Sequence, residues 1–161
     1  MAAFAPLKSA QYTAQTAEPA ALVSGLDWGP KLNHAYGKLT FTAAGNSADL
    51  AQVIRMPAGK VRILTDLCRI ICPIGTATAD LHVGYGAYVN AAGTAVAADD
   101  NALADNLDVG GAAIDEAFSL PAGGFLEIES QAGFDIVAFI DTANSPAAGD
   151  LVLSVVYAKI K

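Results

Sequence analysis

From Tyr36 onward hydrophobic and polar residues alternate in short runs, the period of two that marks half-buried strands. YGKLTFT from Tyr36 puts Leu39 and Phe41 on one face, and LAQVIRM from Leu50 follows. In KVRILTDLCRIICPI from Lys60, Val61, Ile63 and Thr65 share a face before the alternation slips near Asp66. A bulge or bend there would exchange the two faces. TADLHVGYGAYV from Thr78 sets Leu81, Val83, Tyr85 and Ala87 on one side, with His82, Gly84, Gly86 and Tyr88 on the other. AFSL from Ala117, GFLEIES from Gly124, FDIVAFI from Phe134 and DLVLSVVYAKI from Asp150 extend the series. The total of about eight strands suits an antiparallel β-sandwich of jelly-roll type.

Three segments repeat one turn signal: IRMPAGKVRIL from Ile54, FSLPAGGFLEI from Phe118 and NSPAAGDLVLS from Asn144. Proline presets φ for the first turn position and glycine accepts a positive φ later, so each segment is expected to reverse the chain as a hairpin. DDNALADNLDVGG from Asp99 breaks the strand pattern. Its leading aspartates, Leu103 and Leu107 four apart, and the closing Gly110 and Gly111 predict one short helix. The first 30 residues keep no period and are rich in alanine, threonine, glutamine and proline. They are expected to form an extended arm, 1–30, ahead of a sandwich domain, 31–161, with Phe4, Tyr12 and Trp28 as its anchors on a partner.

Composition narrows the function. Among 161 residues, 53% are hydrophobic and 16% are charged, well below the usual quarter. One domain is expected at this length, with some apolar surface covered by another subunit. The net charge of -7 arises from acids scattered along the chain with no basic run, which argues against a nucleic-acid partner. The N-terminus lacks the basic and apolar regions of a signal peptide, and LCRIICPI from Leu67 is too short and interrupted to cross a membrane. Cys68 and Cys72, the two cysteines, lie four apart in an expected strand, a span of about 13 Å that precludes a disulfide between them. They read as small buried groups of a protein made in a reducing cytoplasm.

Nothing in the sequence assembles chemistry. Counted from Asp99, Leu103 and Ala104 occupy positions 5 and 6, where a calcium loop needs an oxygen ligand and glycine; helix capping is the simpler use of these aspartates. His82 and Asp80 would share a strand face as a ligand and its partner would, but no further ligand converges on them, so a partly buried or interface histidine is the expectation and no metal is. Gly84-Tyr85-Gly86 lacks the rest of a dinucleotide fingerprint. Glu127 and Glu129 share a face like a glycosidase pair, yet on a solvent-facing strand they read as soluble surface. With no nucleophile, acid or base set, neither an enzyme nor a cofactor is expected. A carbohydrate-binding sandwich would want an aromatic platform, and Tyr85 and Tyr88 are expected on opposite faces.

The blocks VIRMPAGKVRILTDLCRI, ADLHVGYGAYVNAAGTAVAADDNALADNLDVGGAA and FSLPAGGFLEI, in that order over about residues 36 to 161, resemble the small structural proteins of tailed-bacteriophage virions, in particular capsid decoration or cement proteins. The resemblance implies a jelly-roll-like sandwich, commonly a trimer, bound to the major capsid protein on the outside of the head. Another virion part, such as a head-fibre base or tail protein, would share the same composition.

Overall fold

The computed structural model describes residues 31–41, 50–72, 80–109, 113–141 and 149–160. The expected arm, with Phe4, Tyr12 and Trp28, lies outside the described residues, as does most of the third proline-glycine turn. The described residues form twelve strands: β1 (Leu32–Phe41), β2 (Leu50–Met56), β3 (Gly59–Ile63), β4 (Arg69–Cys72), β5 (Asp80–Tyr85), β6 (Tyr88–Val89), β7 (Ala95–Val96), β8 (Asp99–Asp108), β9 (Ile114–Ala117), β10 (Leu126–Ser130), β11 (Phe134–Asp141) and β12 (Gly149–Ile160).

All pairings are antiparallel. In the first sheet β12 is the spine. One of its edges carries β1 over ten residues; the other carries β3 and then β4, which in turn pair with β10 and β9. The second sheet runs β2, β11, β5, β8. Because β3 continues into β4 along one neighbour, and β9 and β10 both line that same pair, the twelve segments reduce to eight long strands and a small β6–β7 hairpin. The chain alternates between sheets as a jelly roll does.

Packing follows from alternation. Leu151, Leu153 and Val155 of β12 and Val61, Ile63, Ile70, Cys72 and Ile128 of its neighbours face Ile54, Met56, Leu81, Val83, Phe134 and Ile136 of the second sheet in one buried cluster. Each such aliphatic or aromatic side chain contributes about 1.5–3 kcal/mol by leaving water. Gly37 of β1 is also buried there, because a Cβ would come within 2.5 Å of Ile54.

The expected slip near Asp66 is present. A 3-10 turn over Thr65–Leu67 separates β3 from β4, and the buried positions change from odd (Val61, Ile63) to even (Cys68, Ile70, Cys72). At this break the Leu64 N–H still donates to the Val156 carbonyl at 2.9 Å, but the Val156 N–H donates instead to Cys68 Sγ at 3.3 Å. The thiol in turn donates to the Leu64 carbonyl at 3.2 Å. Cys68 thus replaces a backbone group in the ladder, and burial pushes its thiol up to about 11. Both cysteines are buried thiols.

Four sequence expectations are corrected. The described proline-glycine turns close no hairpin. Pro57–Gly59 carries the chain from β2 in one sheet to β3 in the other, and Pro121–Gly124 joins the collinear β9 and β10. In the first turn the expected glycine, Gly59, takes a positive φ of +96°, and in the second the positive φ, +74°, falls on Gly124, one residue past the Pro-Ala-Gly tripeptide, so the local conformation was largely legible and the partner strand was not. Asp99–Asp108 is a strand, not the short helix, so its aspartates cap nothing. Asp and Asn are poor helix-interior residues, and pairing with β5 satisfies the backbone of a segment too short to hold a helix alone. Tyr85 and Tyr88 do not fall on opposite faces of one strand. β5 ends at Tyr85, and after Gly86 and Ala87 the two rings meet edge to face at 5.7 Å. Finally, Phe118 to Leu120 is not strand; β9 ends at Ala117.

Opposite β5 the β8 strand is irregular. Tyr85 pairs with Asp99 and Val83 with Ala104, so the extra residues of β8 fold over Gly84, whose Cβ would lie 2.0 Å from the Asp99 carbonyl oxygen. Gly84→Ala is expected to destabilise the protein by about 3 kcal/mol in urea unfolding, since main chain must move. Gly123→Ala, with open space around it, should stay within about 1 kcal/mol of the parent.

A second prediction concerns Cys68. Cys68→Ala strands the Val156 N–H and is expected to cost roughly 1–3 kcal/mol in the same assay, whereas Cys68→Ser, which keeps an acceptor, should cost less.

Candidate functional site

Directly opposed residues of an antiparallel pair project to the same side of the sheet, so the register defines the outer face of the first sheet row by row. One row is Tyr36, Ser154, Arg69 and Ala117; the next is Lys38, Val152, Ile71 and Asp115. A third holds Leu32, Ala158, Arg62 and Glu127. Tyr36 is 61% exposed, Leu32 55% and Ile71 39%. Phe125, just before β10, joins this face through the Arg62 guanidinium, which lies 4.8 Å above its ring. Leu67 is exposed on the break between β3 and β4. Of the six exposed large hydrophobic residues among the described ones, five therefore lie on this sheet or its interruption; the sixth, Val89, is in the small hairpin.

Ion pairs frame the apolar positions. Lys38 meets Asp150 at 2.9 Å, Arg69 meets Asp115 at 2.6 Å, and Glu127 receives both Lys60, at 3.0 Å, and Arg62. Glu127 and Glu129 lie on the outer side as the sequence suggested, and Glu127 is held by these cations. The hydrogen bond from Thr40 at 2.7 Å, and then Lys38, hold the Asp150 carboxyl below its ordinary value. Lys60 and then Arg62 do the same for Glu127, and the bond to Asp150 raises Lys38.

Charge divides between the sheets. The strands of the first carry five bases (Lys38, Lys60, Arg62, Arg69, Lys159) and five acids (Asp115, Glu116, Glu127, Glu129, Asp150). Those of the second carry one base, Arg55, and seven acids (Asp80, Asp99, Asp100, Asp105, Asp108, Asp135, Asp141). The outer face of the second sheet is also better covered: Val137 is fully buried there and His82 nearly so.

His82 is the buried histidine the sequence suggested, with a different partner. Its Nδ1 lies 2.8 Å from Asp105 Oδ1, across the strand pair, and its ring packs against Phe139. Nε2 is buried without a hydrogen-bond partner, as are Thr65 Oγ1 and Ser130 Oγ on other elements. Among the described residues no three His, Cys, Asp or Glu side chains gather as metal ligands. An open depression of about 320 Å³ beside the hairpin is lined by Tyr88, Asn90, Ala91, Ala92 and Glu129. Tyr88 there packs its ring against Tyr85 and Phe134.

No protein-family model matches the sequence, and no curated protein matches it. Solved structures do. A chain of the cyanophage Pam1 capsid asymmetric unit superposes with a TM-score of 0.55 at 18% identity, covering 90% of this chain and 97% of that one. A chain of the capsid of Ralstonia phage GP4 gives 0.58 at 15% identity, covering 81% and 86%. The fold is one found in phage capsids. At these identities the likeness is one of architecture, and it agrees with the sandwich expected from the strand pattern.

No local window of the sequence relates Tyr36 to Ile71, because β1 and β4 are brought together only through their long-range pairing with β12. The arm anchors expected from the sequence, Phe4, Tyr12 and Trp28, are not among the residues the structure describes.

A pH titration tests the ion-pair frame. Asp150 and Glu127 have depressed folded values, so their contribution is present above about pH 4.5, their unfolded range, and is lost as acid protonates them in the folded state. Asp150→Asn and Glu127→Gln should each flatten the acid fall of the thermal midpoint, with a smaller difference at high salt because these pairs are exposed.

Proposed function

We propose that this protein is a non-enzymatic structural subunit of a bacteriophage virion, one that decorates the capsid exterior and cements it by binding between major capsid protein subunits. The observation that carries the reading is the outer face of the first sheet, where Leu32, Tyr36 and Ile71 stand exposed among paired charges, on a sandwich whose architecture recurs in two phage capsids. A soluble monomer seldom leaves such a face open, so a subunit of an assembly is the simplest owner of it. The trimer implied by the sequence resemblance is the proposed state of the free protein.

The role needs no catalyst. A subunit that binds only the assembled lattice stabilises that lattice by mass action. Three copies joined together repeat a weak contact at high effective concentration. The proposed arm, 1–30, adds contact area by ordering on the capsid, with Phe4, Tyr12 and Trp28 as its anchors, since aromatic side chains dominate interface energetics.

The test is co-sedimentation of the full chain with capsids of its phage, with electron microscopy to place the added density. The parent is expected on the outside of the head at sites between capsid subunits. A variant with Phe4, Tyr12 and Trp28 all changed to Ala is expected to bind at least about tenfold more weakly with its fold unchanged by circular dichroism. Density at the tail, or no binding to capsids, would refute the cement role.

A further inference from the structure

Resting on the reading of this chain as a subunit of an assembly, we infer that the exposed face of the first sheet docks a second copy of this chain, through Tyr36, Ile71 and Leu32. Charge selects the occupant. The whole chain carries -7, so two copies repel wherever their acids meet. The second sheet, with seven acids and one base on its strands, is a poor place for identical molecules to touch. The outer face of the first sheet is balanced, with Lys38, Lys60, Arg62 and Arg69 against Asp115, Glu127, Glu129 and Asp150, and its principal charges are already paired within the chain. Gathered at the axis of an oligomer, such faces meet without repulsion and without needing an opposite charge from the partner.

The layout also matches what a protein interface requires. Val152 on β12 lies between Tyr36, on the edge strand β1, and Ile71 on β4, and the pairs Lys38–Asp150 and Arg69–Asp115 stand beside these apolar residues. Tyrosine is among the residues that contribute most to protein interfaces. Burial of Tyr36 and Ile71 against a neighbour removes from water the apolar area that folding of one chain leaves exposed. The balance extends to salt: a contact without interchain ion pairs is not weakened when charges are screened, and screening relieves the repulsion between the acidic remainders.

The experiment is light scattering on the full chain after size exclusion, at roughly 100 μM, above the micromolar limit typical of standard interfaces. The parent is expected as an oligomer whose mass holds or rises from ~0.01 M to ~1 M salt, as the Debye length falls from about 30 to 3 Å. Tyr36→Lys and Ile71→Lys are each expected to raise the dissociation constant at least about tenfold, and the double variant to run as a monomer with unchanged circular dichroism. Tyr36→Ser with Ile71→Ser, which only trims the face, gives the same reading without new charge. Gln52→Lys, on an exposed position of β2 in the other sheet, should leave the mass unchanged. A monomeric parent, dissociation by salt, or a folded double variant with parental mass would overturn the inference. So would a double variant that keeps its mass and loses capsid binding, since the face would then belong to another protein. A parent that oligomerises through this face but ignores capsids leaves the inference standing and counts against the cement role alone.

Discussion

The structure depends on β12 being paired along both edges. Its twelve residues hold β1 on one side and both β3 and β4 on the other, and through these two it holds β9 and β10. A strand so placed must satisfy its backbone groups laterally, and at the break between β3 and β4 the Val156 N–H is met by the Cys68 thiol. That point is also where two irregularities meet, because the Thr65 N–H in the first break donates to the Gly124 carbonyl in the second. The breaks in β3–β4 and β9–β10 are therefore one feature of the sheet seen in two neighbouring strands. Its result is that Leu67 and Phe125, which a regular ladder would place in alternation, stand out at the surface.

Residues whose fate is set by their own strand were legible in the sequence. LAQVIRM is β2 to the residue, and DLVLSVVYAKI lies within β12. The slip near Asp66 was visible because a change of parity is itself a local signal. What failed needed knowledge of a partner. The glycines of the proline turns announced a positive φ, yet whether such a turn closes a hairpin or crosses between sheets depends on where the next strand pairs. Leu103 and Leu107 four apart fitted a helix, but the outcome was decided by β5, whose open edge accepts the segment at the cost of register shifts. Tyr85 and Tyr88 depart from simple alternation because the strand ends between them, just before Gly86.

The candidate surface was legible only as a bulk property. A low charged fraction indicated that apolar surface would be left over, without indicating where. Tyr36 and Ile71 become neighbours through β12, more than a hundred residues from Tyr36, and no local window contains that relation. His82 shows the same limit on a smaller scale. Its burial followed from the strand, whereas its partner proved to be Asp105 across the sheet rather than Asp80 beside it on the chain.

Charge separation between the sheets is harder to explain by folding than by assembly. Folding alone would favour mixing the signs, since acids concentrated on one sheet repel one another across neighbouring strands. Asp80 stands directly opposite Asp108, for example. In an assembly that arrangement has a use: the repulsive sheet disfavours identical copies from meeting in the wrong orientation, while the balanced sheet leaves one orientation open. The second sheet is then the element that restricts how copies meet, and the first the element that joins them. Specificity of this kind comes from a difference between two faces, so a change that neutralised the acids of β8 would be expected to loosen the choice of orientation even with the apolar face intact.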